Sequence, residues 1–327
     1  MKVAVTGAGG FLGRRICEVL VKKGHEVFPM AMEGENTDGL KNVFRGDITN
    51  PSSFRIPECD SMIHCAGILE SSHPTEEALM KVNYEGTINV FEKSVRSRVD
   101  NFIFISSISA LGPLGSRDQP MTEDMDPSPS DAYGRSKLEA EQYLKKESEK
   151  NGLNVIILRP SVLYGPGMNL DSSGMKTFTS IRKGIMPLVG KGETTLNMLY
   201  VENLVHAVIV SLERTAGSVY KFRLYHVCEK PYTQKEVIGK IETAMGKKGH
   251  KRYPKSILWM LTLLSETIKP LVKGPPPLSW TKYRALTSDI WTMSSERIRD
   301  ELSFKEMVTL EEGIDRTCRH YGWLKNK

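Results

Sequence analysis

The sequence has 327 residues, of which 39% are hydrophobic and 26% charged, an ordinary composition for a globular protein. Its net charge of +6 is modest and no long Lys/Arg run dominates, so nothing here supports nucleic-acid binding. The five scattered cysteines have no Cys-x-x-Cys spacing, which argues against a disulfide framework or a zinc site. We therefore expect a cytoplasmic protein with no metal.

A strand, a glycine-rich turn and a helix open the chain. Residues 2–5 form a β-branched run typical of a buried parallel strand, and residues 11–23 carry apolar side chains at helical spacing. Glycines recur between them at three-residue intervals: Gly7, Gly10 and Gly13. This turn lets backbone N–H groups approach a pyrophosphate, and the helix start at Phe11 and Leu12 adds partial positive charge. The turn therefore predicts dinucleotide binding.

Strands and helices alternate through the first half of the chain. Further strands are predicted at residues 26–28, 43–44, 61–64, 102–105 and 155–158, and helices at 76–95 and 131–150. This alternation predicts an α/β fold, a doubly wound parallel (Rossmann) sheet with its ligand crevice at the carboxyl ends of the strands.

The pattern loosens after Pro160, where glycine and serine turns begin. We expect a nucleotide-binding domain over residues 1–160 and a smaller, mixed and mainly helical substrate lobe over 161–327. A helix from Val201 and a strand at 220–227 would return to the first domain, and a break is expected at prolines 275–277.

Tyr133 and Lys137 are four residues apart on a predicted helix, so they share one face. A phenol with a pKa of about 10 is a poor proton acceptor at neutral pH, and a nearby ammonium lowers that pKa. Such a tyrosine can take a proton from an alcohol. Ser107 follows closely on the predicted fifth strand, at the edge of the sheet, where its hydroxyl could hold the substrate oxygen.

These motifs together resemble the extended short-chain dehydrogenase/reductases, also called the NAD-dependent epimerase/dehydratase family. The resemblance covers nearly the whole chain and rests on residues 6–13, 46–48, 64–67, 82–87, 106–107, 133–137, 158–160 and 200–204. It implies that Ser107, Tyr133 and Lys137 form a catalytic triad, with Lys137 also bound to the nicotinamide ribose. It further implies a homodimer that pairs through the helices carrying Asn83 and Tyr133.

The resemblance also implies the cofactor-binding residues beyond the glycine turn. Asp47 and Ile48 would contact the adenine, and Asn83 would brace the region after the fourth strand. The remaining positions would line the ribose and the nicotinamide: Cys65, Ala66, Gly67, Pro160 and Ser161. NAD and NADP both remain open, because no acid or arginine stands directly after the second strand. Glu33 lies slightly late, and Arg14 or Arg15 could reach a phosphate.

The substrate is expected to be a small molecule. Members that act on nucleotide sugars usually carry an Arg-Asp pair where this chain has Leu196 and Asn197, which weakens that assignment. The apolar stretch 257–264 resembles the lobe of 3β-hydroxysteroid dehydrogenase relatives, although it could be core. It is too short to span a membrane, and the basic stretch 247–252 precedes it.

The leading hypothesis is an NAD(P)-dependent oxidoreductase that moves hydride between the cofactor and a secondary alcohol or ketone. One alternative is a nucleotide-sugar epimerase or dehydratase, which returns the hydride to its substrate. Another is a cofactor-binding sensor or scaffold without chemistry.

Overall fold

The apolar strands assemble into one seven-stranded parallel sheet in a computed structural model that describes residues 1–69, 72–217, 219–247, 250–268 and 278–325. The strands are β1 (Lys2–Thr6), β2 (Glu26–Ala31), β3 (Phe44–Arg45), β4 (Ser61–His64), β5 (Asn101–Ile105), β6 (Asn154–Pro160), β7 (Val162–Tyr164), β8 (Pro187–Val189), β9 (Thr195–Leu196), β10 (Met198–Tyr200), β11 (Phe222–Val227), β12 (Tyr232–Thr233) and β13 (Lys251–Tyr253). The main sheet has the order β11-β6-β5-β4-β1-β2-β3, which confirms the doubly wound fold.

Helices cover both faces of this sheet, and further helices lie among the short strands of the second half of the chain. They are α1 (Phe11–Lys22), α2 (Glu76–Leu79), α3 (Gly86–Arg96), α4 (Ala132–Asn151), α5 (Ser173–Arg182), α6 (Val201–Thr215), α7 (Gln234–Met245), α8 (Lys255–Ile268), α9 (Trp280–Thr287), α10 (Glu296–Leu302) and α11 (Leu310–His320). On one face α1 and α6 share a core that includes Leu20 and Val208. On the other face α3 and α4 contribute Phe91 and Leu144.

Two elements in the first half of the chain differ from the sequence prediction. Strand β2 runs through Pro29 to Ala31, although a proline normally argues against a strand interior. It is tolerated because β3 pairs only with Met30 and Ala31, so Pro29 lies where β2 has one neighbour. The helix predicted at 76–95 contains a π-helical segment, Met80–Glu85, between α2 and α3.

The second half contributes both to the main sheet and to a separate core. Strand β11 pairs with β6 at the edge of the sheet. The separate core lies among α5, α7 and α11, where Phe178, Val237 and Ile314 are buried together. The expected break at prolines 275–277 lies outside the described residues. Within the described ranges, no helix is both long and apolar enough to cross a bilayer.

Candidate active site

The glycine turn is shaped by close backbone contacts. Gly7 has φ +67°, and a Cβ there would lie 2.9 Å from the backbone of Ala66. A Cβ at Gly13 would collide with the carbonyl oxygen of Gly7, whereas one at Gly10 would stay 3.2 Å from it. Gly7 and Gly13 are therefore needed to pack α1 against the ends of β1 and β4.

The start of α1 offers main-chain donors to an anion. Gly10 is the N-cap, and no side chain of the described residues caps the helix there. The N–H groups at the first turn, including those of Phe11 and Leu12, have no carbonyl partner one turn earlier in the helix. Together with the partial positive charge of the helix end, this arrangement fits a pyrophosphate.

Buried hydrogen bonds hold the loop after β4 behind the glycine turn. The Thr6 hydroxyl accepts from the N–H groups of Cys65 and Ala66, both at 3.2 Å, and lies 2.7 Å from His64 Nδ1. Burial lowers the pKa of His64 to about 3, so its imidazole is neutral. The loop that the resemblance places behind the ribose is thus fixed to β1.

Asn83 braces the continuation of the same loop. Its side-chain oxygen accepts from the N–H of Ile68 at 2.9 Å, and its amide donates to the Ile68 carbonyl at 3.1 Å. The amide also donates to the Ser136 hydroxyl on α4 at 3.1 Å. Asn83 lies in the π-helical segment, and such segments often occur at functional sites. A Cβ at Gly67 would lie 2.9 Å from the Asn83 oxygen, so glycine allows this approach.

Tyr133 and Lys137 lie in the first two turns of helix α4. Asp131 caps the helix by accepting from the Gly134 N–H at 2.7 Å. A side chain at Gly134 would collide with the carbonyl of Ser109, so this glycine lets α4 approach the loop that holds Ser107. Tyr133 is half-buried, and Lys137 follows one turn later on the same face.

Lys137 is a buried cation. Its ammonium donates to the Ile105 carbonyl at 3.0 Å and lies 4.7 Å from the centre of the Phe104 ring. Burial lowers its pKa to about 8, which still leaves the group mainly charged at neutral pH. A Cβ at Gly67 would lie 3.5 Å from this ammonium, so the cation lies close to the loop after β4.

The two serines after β5 have different environments. Ser106 is buried and donates to Glu141, which also forms a buried ion pair with Arg159. Ser107 is half-buried, and its oxygen accepts from the Ser109 N–H at 3.1 Å. That bond uses one of the two oxygen lone pairs and not the Ser107 O–H, which could still donate to a substrate oxygen. The sequence interpretation missed the buried pair, although Glu141 follows Lys137 by one helical turn.

Ser161 provides the test of whether a nicotinamide fits. It follows β6, is 7% exposed, and its main-chain N–H donates to the Val227 carbonyl at 3.0 Å. Its hydroxyl is buried and has no hydrogen-bond partner among the described residues. A buried hydroxyl without a partner is costly, and a cofactor amide beside Pro160 and Ser161 would satisfy it.

The two residues expected at the adenine, Asp47 and Ile48, have contacts within the protein. The carboxylate of Asp47 accepts from the Thr49 N–H at 2.8 Å and from the Thr49 hydroxyl at 2.9 Å. Ile48 is buried, and its side chain packs against Gly86. A contact from Asp47 or Ile48 to an adenine stays a prediction.

The loop after β2 places its charges differently from the sequence hypotheses. Glu33 is exposed, whereas the half-buried Glu35 lies against Gly9, where a Cβ would be 2.8 Å from the Glu35 carboxylate. Arg14 donates to the carbonyls of residues 36 and 38, at 2.6 and 2.7 Å. Arg15 donates to the Pro166 carbonyl. In this structure both arginines are engaged by backbone carbonyls.

At the position where an Arg-Asp pair would lie, this chain has Leu196 and Asn197, and both side chains make contacts within the protein. Asn197 is buried, accepts from the Met293 N–H at 3.0 Å and donates to the Glu229 carbonyl at 3.2 Å. Leu196 is half-buried in β9, where it pairs with Tyr232. Neither side chain offers a charge to a sugar diphosphate.

The sequence is similar to those of known proteins. The model of the NAD dependent epimerase/dehydratase family matches residues 3–222. The 2-alkyl-3-oxoalkanoate reductase of Stenotrophomonas maltophilia is 26% identical, over 97% of this chain and 98% of its own. The 3beta-hydroxysteroid-dehydrogenase/decarboxylase isoform 1 of Arabidopsis thaliana is 25% identical, over 98% of this chain and 80% of its own.

A solved structure shows the same fold. The UDP-glucose 4-epimerase of Thermus thermophilus, in complex with NAD, superposes with a TM-score of 0.74 at 21% identity. The superposition covers 98% of this chain and 99% of that one.

Proposed function

Because the chain belongs to the NAD-dependent epimerase/dehydratase family, we propose that it moves hydride between a nicotinamide cofactor and a secondary alcohol or ketone. The observation that carries this proposal is the buried Lys137 ammonium, which lies one helical turn from Tyr133 and near the loop after β4 at Gly67. Two relatives whose alignments span at least 97% of this chain carry the names of a reductase and a dehydrogenase, which supports net redox chemistry.

The bound nicotinamide would supply the hydride acceptor or donor. In the oxidative direction, the Tyr133 phenolate accepts the hydroxyl proton of the alcohol while the carbon loses its hydride. Lys137 favours the phenolate electrostatically, and the Ser107 O–H holds the substrate oxygen as it becomes a carbonyl. In the reductive direction Tyr133 returns the proton. The Ser161 hydroxyl and the first turn of α1 would hold the cofactor.

We propose a small, apolar substrate rather than a sugar nucleotide. Leu196 and Asn197 supply no charge at the position where members that act on nucleotide sugars usually carry an Arg-Asp pair. The substrate lobe would begin after Pro160, with α6 and β11 returning to the nucleotide-binding domain. The five cysteines are unpaired thiols in the structure, which supports a cytoplasmic location.

We further propose a homodimer that pairs through the segment carrying Asn83 and through α4. These elements pack side by side, and Arg135 of α4 forms a 2.8 Å ion pair with Glu76 at the surface. Light scattering on a size-exclusion column gives the mass, and a monomer at micromolar concentration would contradict this assignment.

The decisive experiment follows cofactor absorbance with a panel of apolar ketones and secondary alcohols, using wild type and Tyr133→Phe. We expect net oxidation or reduction by wild type, and a loss of about 10²-fold or more in kcat for the variant. The variant should still bind cofactor, because the glycine turn is unchanged. Conversion of a UDP-sugar without net absorbance change would favour an epimerase. Cofactor binding without turnover of either class would favour a sensor.

A further inference from the structure

Helix α8 directs its apolar side chains outward. Its buried positions are Leu258, Thr262 and Ser265, two of which are polar. Of its ten exposed positions, seven are apolar: Ile257, Trp259, Met260, Leu261, Leu263, Leu264 and Ile268. Met260 is 60% and Leu264 is 59% exposed. A surface helix normally buries its apolar side, so this reversal marks a contact surface rather than core.

Aromatic side chains extend the same surface onto α9. Trp259 lies with its ring centroid 6.1 Å from that of Trp280, and Trp280 packs edge-on against Tyr283 at 5.8 Å. Trp259 is 45% exposed and Trp280 is 38% exposed. Tryptophan and tyrosine combine an apolar ring with a polar group, which suits the boundary between lipid headgroups and acyl chains.

The part of the sequence that contains α8 and α9 is basic. Residues 251–288 contain seven Lys and Arg residues and a single acid, Glu266. The net charge of this segment therefore equals the net charge of the whole sequence, +6. The rest of the chain is therefore neutral overall. Of these basic residues, Lys251, Arg252, Lys255 and Arg284 are exposed, whereas Lys269, Lys273 and the side chain of Lys282 lie outside what the structure describes. Of the basic stretch 247–252, residues 248 and 249 lie outside the described residues.

We propose that the exposed side of α8, together with Trp280 and Tyr283, docks onto an anionic lipid membrane. The helix has 14 residues. At 1.5 Å per residue it is shorter than the roughly 30 Å hydrocarbon layer, so it lies in the interface rather than across it. The basic side chains then bind acidic headgroups while the apolar ones enter the acyl boundary. A second copy of the chain fits less well, because two such positive surfaces would repel each other.

The test is sedimentation of the full chain with vesicles of phosphatidylcholine alone or with 30% phosphatidylglycerol added, at about 0.1 M salt. We expect binding to the anionic vesicles, accompanied by a blue shift of tryptophan fluorescence. The double variant Met260→Glu/Leu264→Glu should bind about tenfold more weakly or worse, since two apolar side chains no longer enter the lipid. Both positions are exposed, so the fold should be retained, which circular dichroism checks.

The matched control is Val21→Glu, which is also 60% exposed but lies on α1. It should bind vesicles like wild type. Arg252→Glu should weaken binding to anionic vesicles about fivefold or more and leave the weak binding to neutral vesicles unchanged. Equal binding to both vesicle types, or no effect of the double variant, would overturn the proposal. So would a wild-type dimer that the double variant splits without any lipid binding, because α8 would then be a subunit contact.

Discussion

The buried ammonium of Lys137 donates to the main-chain carbonyl of Ile105, the last residue of β5, over 3.0 Å. Ser107 follows Ile105 by only two residues, so the end of one strand positions both the cation and the hydroxyl of the proposed triad. The Phe104 ring, 4.7 Å from the ammonium, adds a favourable cation–π contact from the same strand. The chemistry of this site therefore depends on how α4 packs against β5.

Replacing Lys137 with Met should remove the charge that favours the Tyr133 phenolate. We expect kcat/KM to fall by about 10²-fold or more, and the acid limb of its pH profile to move to higher pH, because the tyrosine becomes harder to ionise. Lys137→Arg keeps a charge and should shift the limb less. Steady-state kinetics from pH 6 to 10 measure both effects. An unmoved acid limb in the methionine variant would contradict the role of the ammonium.

The sequence was sufficient for the features that depend on local pattern. Strand and helix periodicity predicted the parallel sheet, and the glycine spacing predicted the turn between β1 and α1. What it could not supply are contacts between distant elements. The bond from Lys137 to Ile105, the ion pair of Glu141 with Arg159 and the approach of Glu35 to Gly9 form only when separate elements pack. The roles of Ser107, Tyr133 and Lys137 remain predictions.

Ser161→Ala should leave the cofactor-free protein at least as stable as wild type, but it should weaken cofactor binding. Without cofactor, the free energy of unfolding should stay the same or rise by about 1 kcal/mol, since a buried hydroxyl with no partner among the described residues is removed. Cofactor binding should weaken by about threefold to tenfold, as expected for the loss of one hydrogen bond. The matched control is Ser106→Ala, which removes a hydroxyl bonded to Glu141 and should destabilise the protein by itself.

Urea unfolding with and without saturating NAD, together with calorimetric titration, measures both quantities for Ser161→Ala. If this variant lost as much stability without cofactor as Ser106→Ala, the hydroxyl would have a partner within the protein. If its affinity for NAD were unchanged, Ser161 would not contact the nicotinamide.

Because Glu229 is buried, we expect the protein to lose stability as pH rises. Its carboxylate accepts from the Tyr200 N–H and the Asn203 amide, both at 2.7 Å, yet burial raises its pKa to about 7. Below the ordinary pKa of about 4.5, Glu229 is protonated in both the folded and the unfolded protein, and its stabilising contribution is complete. Between pH 4.5 and 7 the unfolded chain ionises first, so the free energy of unfolding falls, by about 3 kcal/mol for this group.

Glu229→Gln keeps an oxygen for both hydrogen bonds and cannot ionise. The stability of this variant relative to wild type should therefore rise between pH 5 and pH 8, while the exposed control Glu58→Gln should show no such trend. Urea unfolding followed by circular dichroism at each pH gives the comparison. A constant difference between Glu229→Gln and wild type would refute the assignment.

The position of the Glu35 carboxylate leads us to expect that the protein binds NAD more tightly than NADP. Its carboxylate is held beside Gly9 by the N–H of Met32 at 3.0 Å. Arg45 fixes the same loop by donating to the Met32 carbonyl at 2.7 Å and to the Glu35 carbonyl at 3.1 Å. A 2′-phosphate on the adenosine ribose would meet this negative charge. We expect NADP to bind about tenfold more weakly than NAD.

Glu35→Gln should bring the two affinities closer, mainly by tightening NADP, because it removes the repulsion and retains an oxygen for the Met32 N–H. Glu33→Gln changes an exposed carboxylate two residues away and should leave the ratio of the two dissociation constants as in wild type. Calorimetric titration of each protein with both cofactors gives that ratio without any substrate. Equal affinities in wild type, or a ratio that responds to Glu33 and not to Glu35, would show that another group selects the cofactor.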